Sequence, residues 1–141
     1  MQRWDSILLA LVLALPATAQ EADTVNIRLT IDGKAIHASL HDNVTTRDFL
    51  ALLPLTLTLE DYASTEKIAY LPQKLSTAGA PEGVDPSTGD ITYYAPWGNL
   101  AIFHKDFRYS KGLIKLGSID HGVEALRQPG NLTVRIEVLQ E

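Results

Sequence analysis

Few residues in this chain have both the type and the spacing to do chemistry. Four histidines are present and no cysteine, so thiol nucleophiles, disulfides and cysteine-held zinc are excluded together, leaving His, Asp and Glu as the only metal ligands. His37 and His41 share a face if their segment is a strand, yet four residues at about 3.3 Å each hold them roughly 13 Å apart, too far for one ion. Ser118, Asp120 and His121 have the types of a hydrolytic triad, but neighbours on a turn rarely converge on one point, and Asp120 is expected to cap a helix instead. His104 and Lys105, after Phe103, read as a strand end reaching water. No metal site is expected. No phosphate-cradling glycine loop occurs, and no cofactor is implied.

The best candidate surface is aromatic. Tyr93 and Tyr94 are adjacent in a short apolar run, so a strand there sends one ring inward and the other outward. Trp97 stands beside Pro96 and Gly98 in a tight connection, where a ring is presented rather than packed away, and Asn99 follows it. Glu66 and Tyr70 lie on a neighbouring candidate strand and extend the same groove. We therefore expect Tyr93, Tyr94, Pro96, Trp97, Asn99, Glu66 and Tyr70 to bind a ligand, with no residue assigned to catalysis.

The elements that must carry these side chains begin with two alternating runs, Val25 to Ile31 and Lys34 to Leu40, joined by Asp32-Gly33. A two-residue Asp-Gly connection predicts a type I′ hairpin. Its register sets Leu29 opposite Ile36, Ile27 opposite Ala38 and Val25 opposite Leu40, so both apolar faces coincide while Arg28, Thr30, His37 and Ser39 turn away. The same alternation returns at Leu132, Val134, Ile136 and Val138. Between them, Thr45-Thr46-Arg47-Asp48 predicts a capping box, opening a short helix whose apolar face is Phe49, Leu50, Leu52 and Leu53 and which Pro54 ends.

Further strands are expected over Leu55 to Leu59, Ile68 to Leu71, Ile91 to Tyr94, Leu100 to Phe103 and Leu113 to Ile119. A second short helix fits Gly122 to Arg127, between Asp120 and Pro129-Gly130. Ser76 to Gly89, with three glycines and two prolines, is too long for a turn and predicts a lid or a surface excursion. About eight short strands without a βαβ rhythm predict a mainly β, closed eight-stranded barrel with two short helices plugging its ends.

Composition bounds the partners. The 141 residues hold 12 Lys and Arg against 17 Asp and Glu, a net charge of -5, with 45% hydrophobic residues. One domain fits that length. The acidic balance, and the absence of any basic stripe beyond Arg108, Lys111 and Lys115, argue against nucleic acid. At the start, a single arginine precedes the apolar run Ile7 to Leu15, followed by Pro16 and Ala17-Thr18-Ala19. That is the pattern of a secretory signal peptide, expected to be cleaved after Ala19 to leave residues 20–141 as the domain, in the periplasm or outside the cell. Nine apolar residues reach about 14 Å as a helix, roughly half a bilayer core, so no membrane span is expected in the mature chain.

Gly89-Asp90-Ile91-Thr92-Tyr93-Tyr94-Ala95-Pro96-Trp97-Gly98-Asn99-Leu100-Ala101-Ile102-Phe103, with Gly117 and Gly122-Val123-Glu124-Ala125-Leu126, resembles the small prokaryotic cyclophilin-like family. The likeness extends over most of Thr24 to Val138, including Glu66-Lys67-Ile68-Ala69-Tyr70-Leu71-Pro72. It implies a cyclophilin-like eight-stranded barrel with two end-capping helices. It does not bring the proline-isomerase groups with it. Matching Lys67 to Pro72 to the cyclophilin strand that carries the catalytic arginine puts Ala69 in its place, Leu100 and Ile102 fall where the groove glutamine and phenylalanine belong, and Leu113 falls near the groove histidine. The expectation is therefore a non-catalytic module that binds a peptide, a partner protein or a small ligand. The alternative is a divergent peptidyl-prolyl isomerase acting on secreted proteins.

Overall fold

The structure, a computed structural model, describes residues 23–140. The expected signal peptide lies outside them. The opening hairpin pairs β1 (Thr24–Ile31) with β2 (Lys34–His41), and the expected partners are found: Leu29 with Ile36, Ile27 with Ala38, Val25 with Leu40. Asp32 and Gly33 take the positive φ values, 50° and 80°, that a type I′ turn demands at both central positions. With the register so fixed, Ile27, Leu29, Ile36, Ala38 and Leu40 are all buried. Arg28 turns outward to Glu137 at 3.2 Å.

The remaining barrel strands are β3 (Leu55–Tyr62), β4 (Glu66–Tyr70), β6 (Asp90–Tyr94), β7 (Asn99–Phe103), β9 (Leu113–His121) and β10 (Leu132–Val138). They close in the order β1-β10-β3-β4-β7-β6-β9-β2, every pairing antiparallel. Closure leaves the barrel no sheet edge to template association. Inward positions such as Leu59, Ala69, Leu100, Ile102, Leu116, Val134 and Ile136 fill the interior as one core.

Two strands were not expected. β5 (Gly83–Val84) and β8 (Ser110–Lys111) form a small separate sheet, which pins the Ser76–Gly89 excursion to the 104–112 segment. Gly83 is required there, because a Cβ would overlap the Ser110 carbonyl oxygen and the Tyr109 ring.

Among the described residues one α-helix is present rather than two. α1 (Val44–Leu50) buries Phe49 in the core at one barrel end. Its cap is Asn43, whose side chain accepts from the Thr46 N–H at 2.8 Å. The Thr45 hydroxyl, expected to cap, instead donates to the Ser76 carbonyl at 2.7 Å. At the opposite end the expected second helix is a 3₁₀ turn, Val123–Arg127, which buries Leu126. Five residues are too few for a stable α-helix, and Gly122, at φ 99°, opens the turn with no side-chain cap. Asp120 belongs to β9 and accepts from the Ser39 hydroxyl at 3.0 Å.

The same end holds a buried charge. Lys67 points inward and is fully buried, and its ammonium has three partners: the Asp61 carboxylate at 2.7 Å and the carbonyls of Gln128 and Gly130. That uses every proton it can donate. Asp61 also accepts from the Gly130 N–H at 2.7 Å, so these bonds hold its carboxyl below the usual range, the Lys67 bond contributing most. Among the described residues no helix is long and apolar enough to cross a membrane.

Candidate functional site

The side chains of β4, β6, β7 and β9 that face away from the core build a second, smaller apolar cluster. Ile68, Ala101, Phe103 and Leu113 form it, with Val84, Tyr94 and Phe107 packed against it. Above this face lies a cavity of about 300 Å³, at the small end of the range that ligand pockets occupy. Its floor is Glu66 and Ile68 of β4, Asn99 and Phe103 of β7, and Leu113 of β9. Tyr62 at the end of β3, Tyr94 at the end of β6 and Trp97 in the following turn wall one side; Phe107, Arg108 and Ser110 wall the other.

The aromatic wall is ordered. Trp97 meets Tyr62 edge to face, with centroids 5.5 Å apart at 89°, and Tyr94 likewise at 5.5 Å and 76°. Phe103 stacks with Phe107 at 6.4 Å, and the Arg108 guanidinium lies 4.7 Å from the Phe107 centroid. Trp97 remains half exposed.

Two polar groups stand out against these rings. Glu66 is 8% exposed and accepts from the Thr65 hydroxyl at 3.2 Å. Among the described residues it has no Lys, Arg or His partner. Burial without a counter-charge pushes its carboxyl up to about 7, the Thr65 bond opposing the rise only in part. Asn99 is 1% exposed, and neither its amide oxygen nor its amide nitrogen has a partner.

The pocket gathers four of the seven residues expected to bind, Glu66, Tyr94, Trp97 and Asn99. Tyr93 is the inward ring of its pair: it is core, and its hydroxyl accepts from the Leu75 N–H at 3.1 Å. Pro96 is exposed beside Gly112, and Tyr70 is 56% exposed; neither lines the cavity. Tyr62 was legible only if β3 ran past Leu59, and Phe107 and Arg108 sit in an irregular segment that no periodicity marks.

His104 does not reach water. It is 6% exposed, its Nδ1 has no partner, and its carbonyl accepts from the Arg127 guanidinium at 2.9 Å. Burial lowers its pKa, with help from Arg127, Lys105 and Lys67 and against Asp61. His37 and His41 are exposed, and among the described residues no group of three His, Asp or Glu side chains is placed to hold a metal.

The positions matched to the cyclophilin groove require correction. Ala69, Leu100 and Ile102 all face the barrel core, so none can line an outer groove. Because side chains alternate, a match displaced by one residue exchanges the faces. The outward residues are Glu66, Ile68 and Tyr70 on β4 and Asn99, Ala101 and Phe103 on β7. No arginine stands on either strand. Leu113 does line the pocket, where an imidazole was sought.

A model of the cyclophilin-like family matches residues 29–137, and the chain belongs to that family. Among solved structures it is similar to the hypothetical protein AF2241 from Archaeoglobus fulgidus, at 15% identity and a TM-score of 0.62, over 86% of this chain and 100% of that one. At such identity the likeness concerns the fold alone. No functionally curated protein matches the chain.

Proposed function

We propose that this protein is an exported binding module that takes a small ligand or a peptide group in its outer-face pocket without a chemical step. The observation that supports this reading best is the pairing, in one aromatic cavity, of the Asn99 amide, which has no hydrogen-bond partner, with the Glu66 carboxyl, which has one hydroxyl donor and among the described residues no counter-charge. Buried polar groups are nearly always paired within a fold, and each unpaired one costs about 1–3 kcal/mol. An unpaired amide beside a buried carboxyl without a counter-charge argues for partners supplied from outside. Export rests on the signal-peptide pattern of Met1 to Ala19, and intact mass of the envelope fraction, beginning at Gln20, is its test.

One observation favours the divergent isomerase instead: a guanidinium, that of Arg108, lines the same pocket. An isomerase must lower a barrier of roughly 18–20 kcal/mol by favouring the twisted amide over the planar one. Such a donor has to be preorganised, and losing one costs about 2.7–4 kcal/mol in enzymes of this kind. Arg108 is exposed and rests on Phe107, and among the described residues no carboxylate holds it in place. Cis-to-trans conversion of a proline tetrapeptide at micromolar protein should therefore run at its uncatalysed rate. A rate constant near that of ordinary cyclophilins would overturn the non-catalytic reading.

A further inference from the structure

We propose that the outer-face pocket recognises an alkylated ammonium ion, its head held between the Glu66 carboxylate and the rings of Tyr62, Tyr94 and Trp97. The inference rests on the pocket being a ligand site and names the chemistry of its ligand. Three arguments carry it. The first is charge: among the described residues Glu66 is the only carboxylate lining the cavity, it is buried, and no cation among them neutralises it. A buried carboxylate left alone is costly, and an incoming cation is the partner that removes the cost.

The second is the arrangement of rings. Trp97 stands nearly perpendicular to both tyrosines at 5.5 Å, giving three walls at different angles, and aromatic faces attract a diffuse cation within about 6 Å of their centroids. The β3–β4 register sets Tyr62 directly across from Glu66, and the β4–β7 register sets Phe103 across from it on the other side. Carboxylate and rings therefore border one volume. The third is size. About 300 Å³ admits a compact head group with a short stem, which favours a small ion over a folded partner.

Binding to the ionised carboxyl must follow its titration, and the groups around Glu66 set that titration. Arg108, exposed at the mouth, is the one charged neighbour lining the cavity besides Glu66. On β3, Glu60 shares the outward direction with Tyr62, pairs with Ile68 rather than Glu66, and is exposed. Lys67 lies on the opposite face, occupied by Asp61; His104 is buried among Arg127, Lys67 and Asp61; Lys111 is engaged by Glu82. With Glu66 titrating at about 7, the ionised fraction rises about tenfold between pH 6 and pH 8. Apparent affinity for a cation should rise with it, because only the competent fraction binds.

The test is a titration of the mature domain with choline and with its neutral isostere, in which carbon replaces the nitrogen, following the Trp97 indole N–H by NMR. Choline should shift that resonance saturably, about tenfold more tightly at pH 8 than at pH 6, and the isostere should not. Glu66→Gln should weaken choline by about tenfold or more and abolish the pH dependence. Trp97→Leu, at a half-exposed position outside the barrel core, should weaken binding but keep the pH dependence, read from backbone amides of Glu66 and Phe103. Arg108→Ala should tighten it. Phosphatidylcholine vesicles that bring the protein down in sedimentation, released by free choline, would place the same ion on a lipid head group. Equal binding of isostere and choline, or binding unchanged in Glu66→Gln, would overturn the ammonium assignment while leaving the pocket a ligand site. A pocket that no probe perturbs would overturn the assignment outright.

Discussion

Glu66→Gln should make the protein more stable, and only above the acid range. The glutamine is nearly isosteric and its amide oxygen can still accept from the Thr65 hydroxyl, so the substitution removes ionisation and little else. In the fold the carboxyl titrates at about 7, against 4.5 for its ordinary value. Between those limits the native state binds the proton that the unfolded chain has lost. Stability that Glu66 confers is therefore complete below about pH 4.5 and is lost as pH rises through about 7. At about 1.4 kcal/mol per tenfold difference in proton affinity, the ionised side chain costs the fold about 3 kcal/mol at pH 8, an upper figure because the pocket can admit water. His104 works in the opposite direction over an overlapping window, since its lowered pKa makes stability rise with pH until about 6.5. The wild-type profile alone would blur the two. Urea unfolding of wild type and Glu66→Gln in parallel from about pH 4 to pH 9 isolates the carboxyl as a difference, near zero in acid and growing through neutrality. A difference that stays flat would mean that Glu66 is solvated, and the cost assigned to its burial would be wrong.

At the barrel end, Lys67→Met should cost about 1–3 kcal/mol, because two carbonyls lose a donor while a buried charge disappears. Asp61→Asn should cost more, since it leaves the buried ammonium without a counter-charge, and the double variant should be more stable than Asp61→Asn alone; additive effects in urea unfolding would refute the coupling. In the hairpin, Leu29→Ala should cost about 2–5 kcal/mol and Arg28→Ala under about 1 kcal/mol, because Leu29 is 1% exposed while the Arg28–Glu137 pair is half in water. Equal losses by thermal unfolding would contradict the register.

The hairpin was legible because two independent signals agreed: Asp32-Gly33 fixes the turn, and the alternation on either side has one register that buries both apolar faces. The closed barrel followed from the number of strands and the shortage of helix to cover an open sheet. What misled was alternation where both faces are buried. Residues 99–103 of β7 are all buried and only Asn99 is polar, so one residue at the strand's start is all that marks the outward side, and Leu100 and Ile102 were placed in a groove to which they present their backs. Helix capping failed for a related reason. Asn43 and Thr45 are both good caps, and the choice fell to Ser76, a loop residue brought in by tertiary structure, which occupies the Thr45 hydroxyl. The 104–112 segment, which supplies Phe107 and Arg108, has no period to read.

Glu66 and Lys67 show why strand alternation matters more to this site than its composition does. They are adjacent, opposite in charge and both buried, yet they do not pair. A strand sends them to opposite sides of the sheet. Lys67 enters the barrel end, where Asp61 and two carbonyls satisfy it completely, and this fixes the closing turn at Gln128 to Gly130. That leaves Glu66 facing the outer pocket with one hydroxyl for company. Moving the lysine outward would neutralise the carboxylate but would leave Asp61 and the two carbonyls without their common donor. The interior arrangement thus keeps Glu66 available, and the core, filled from wall to wall, leaves the outer face as the place where a ligand can meet it.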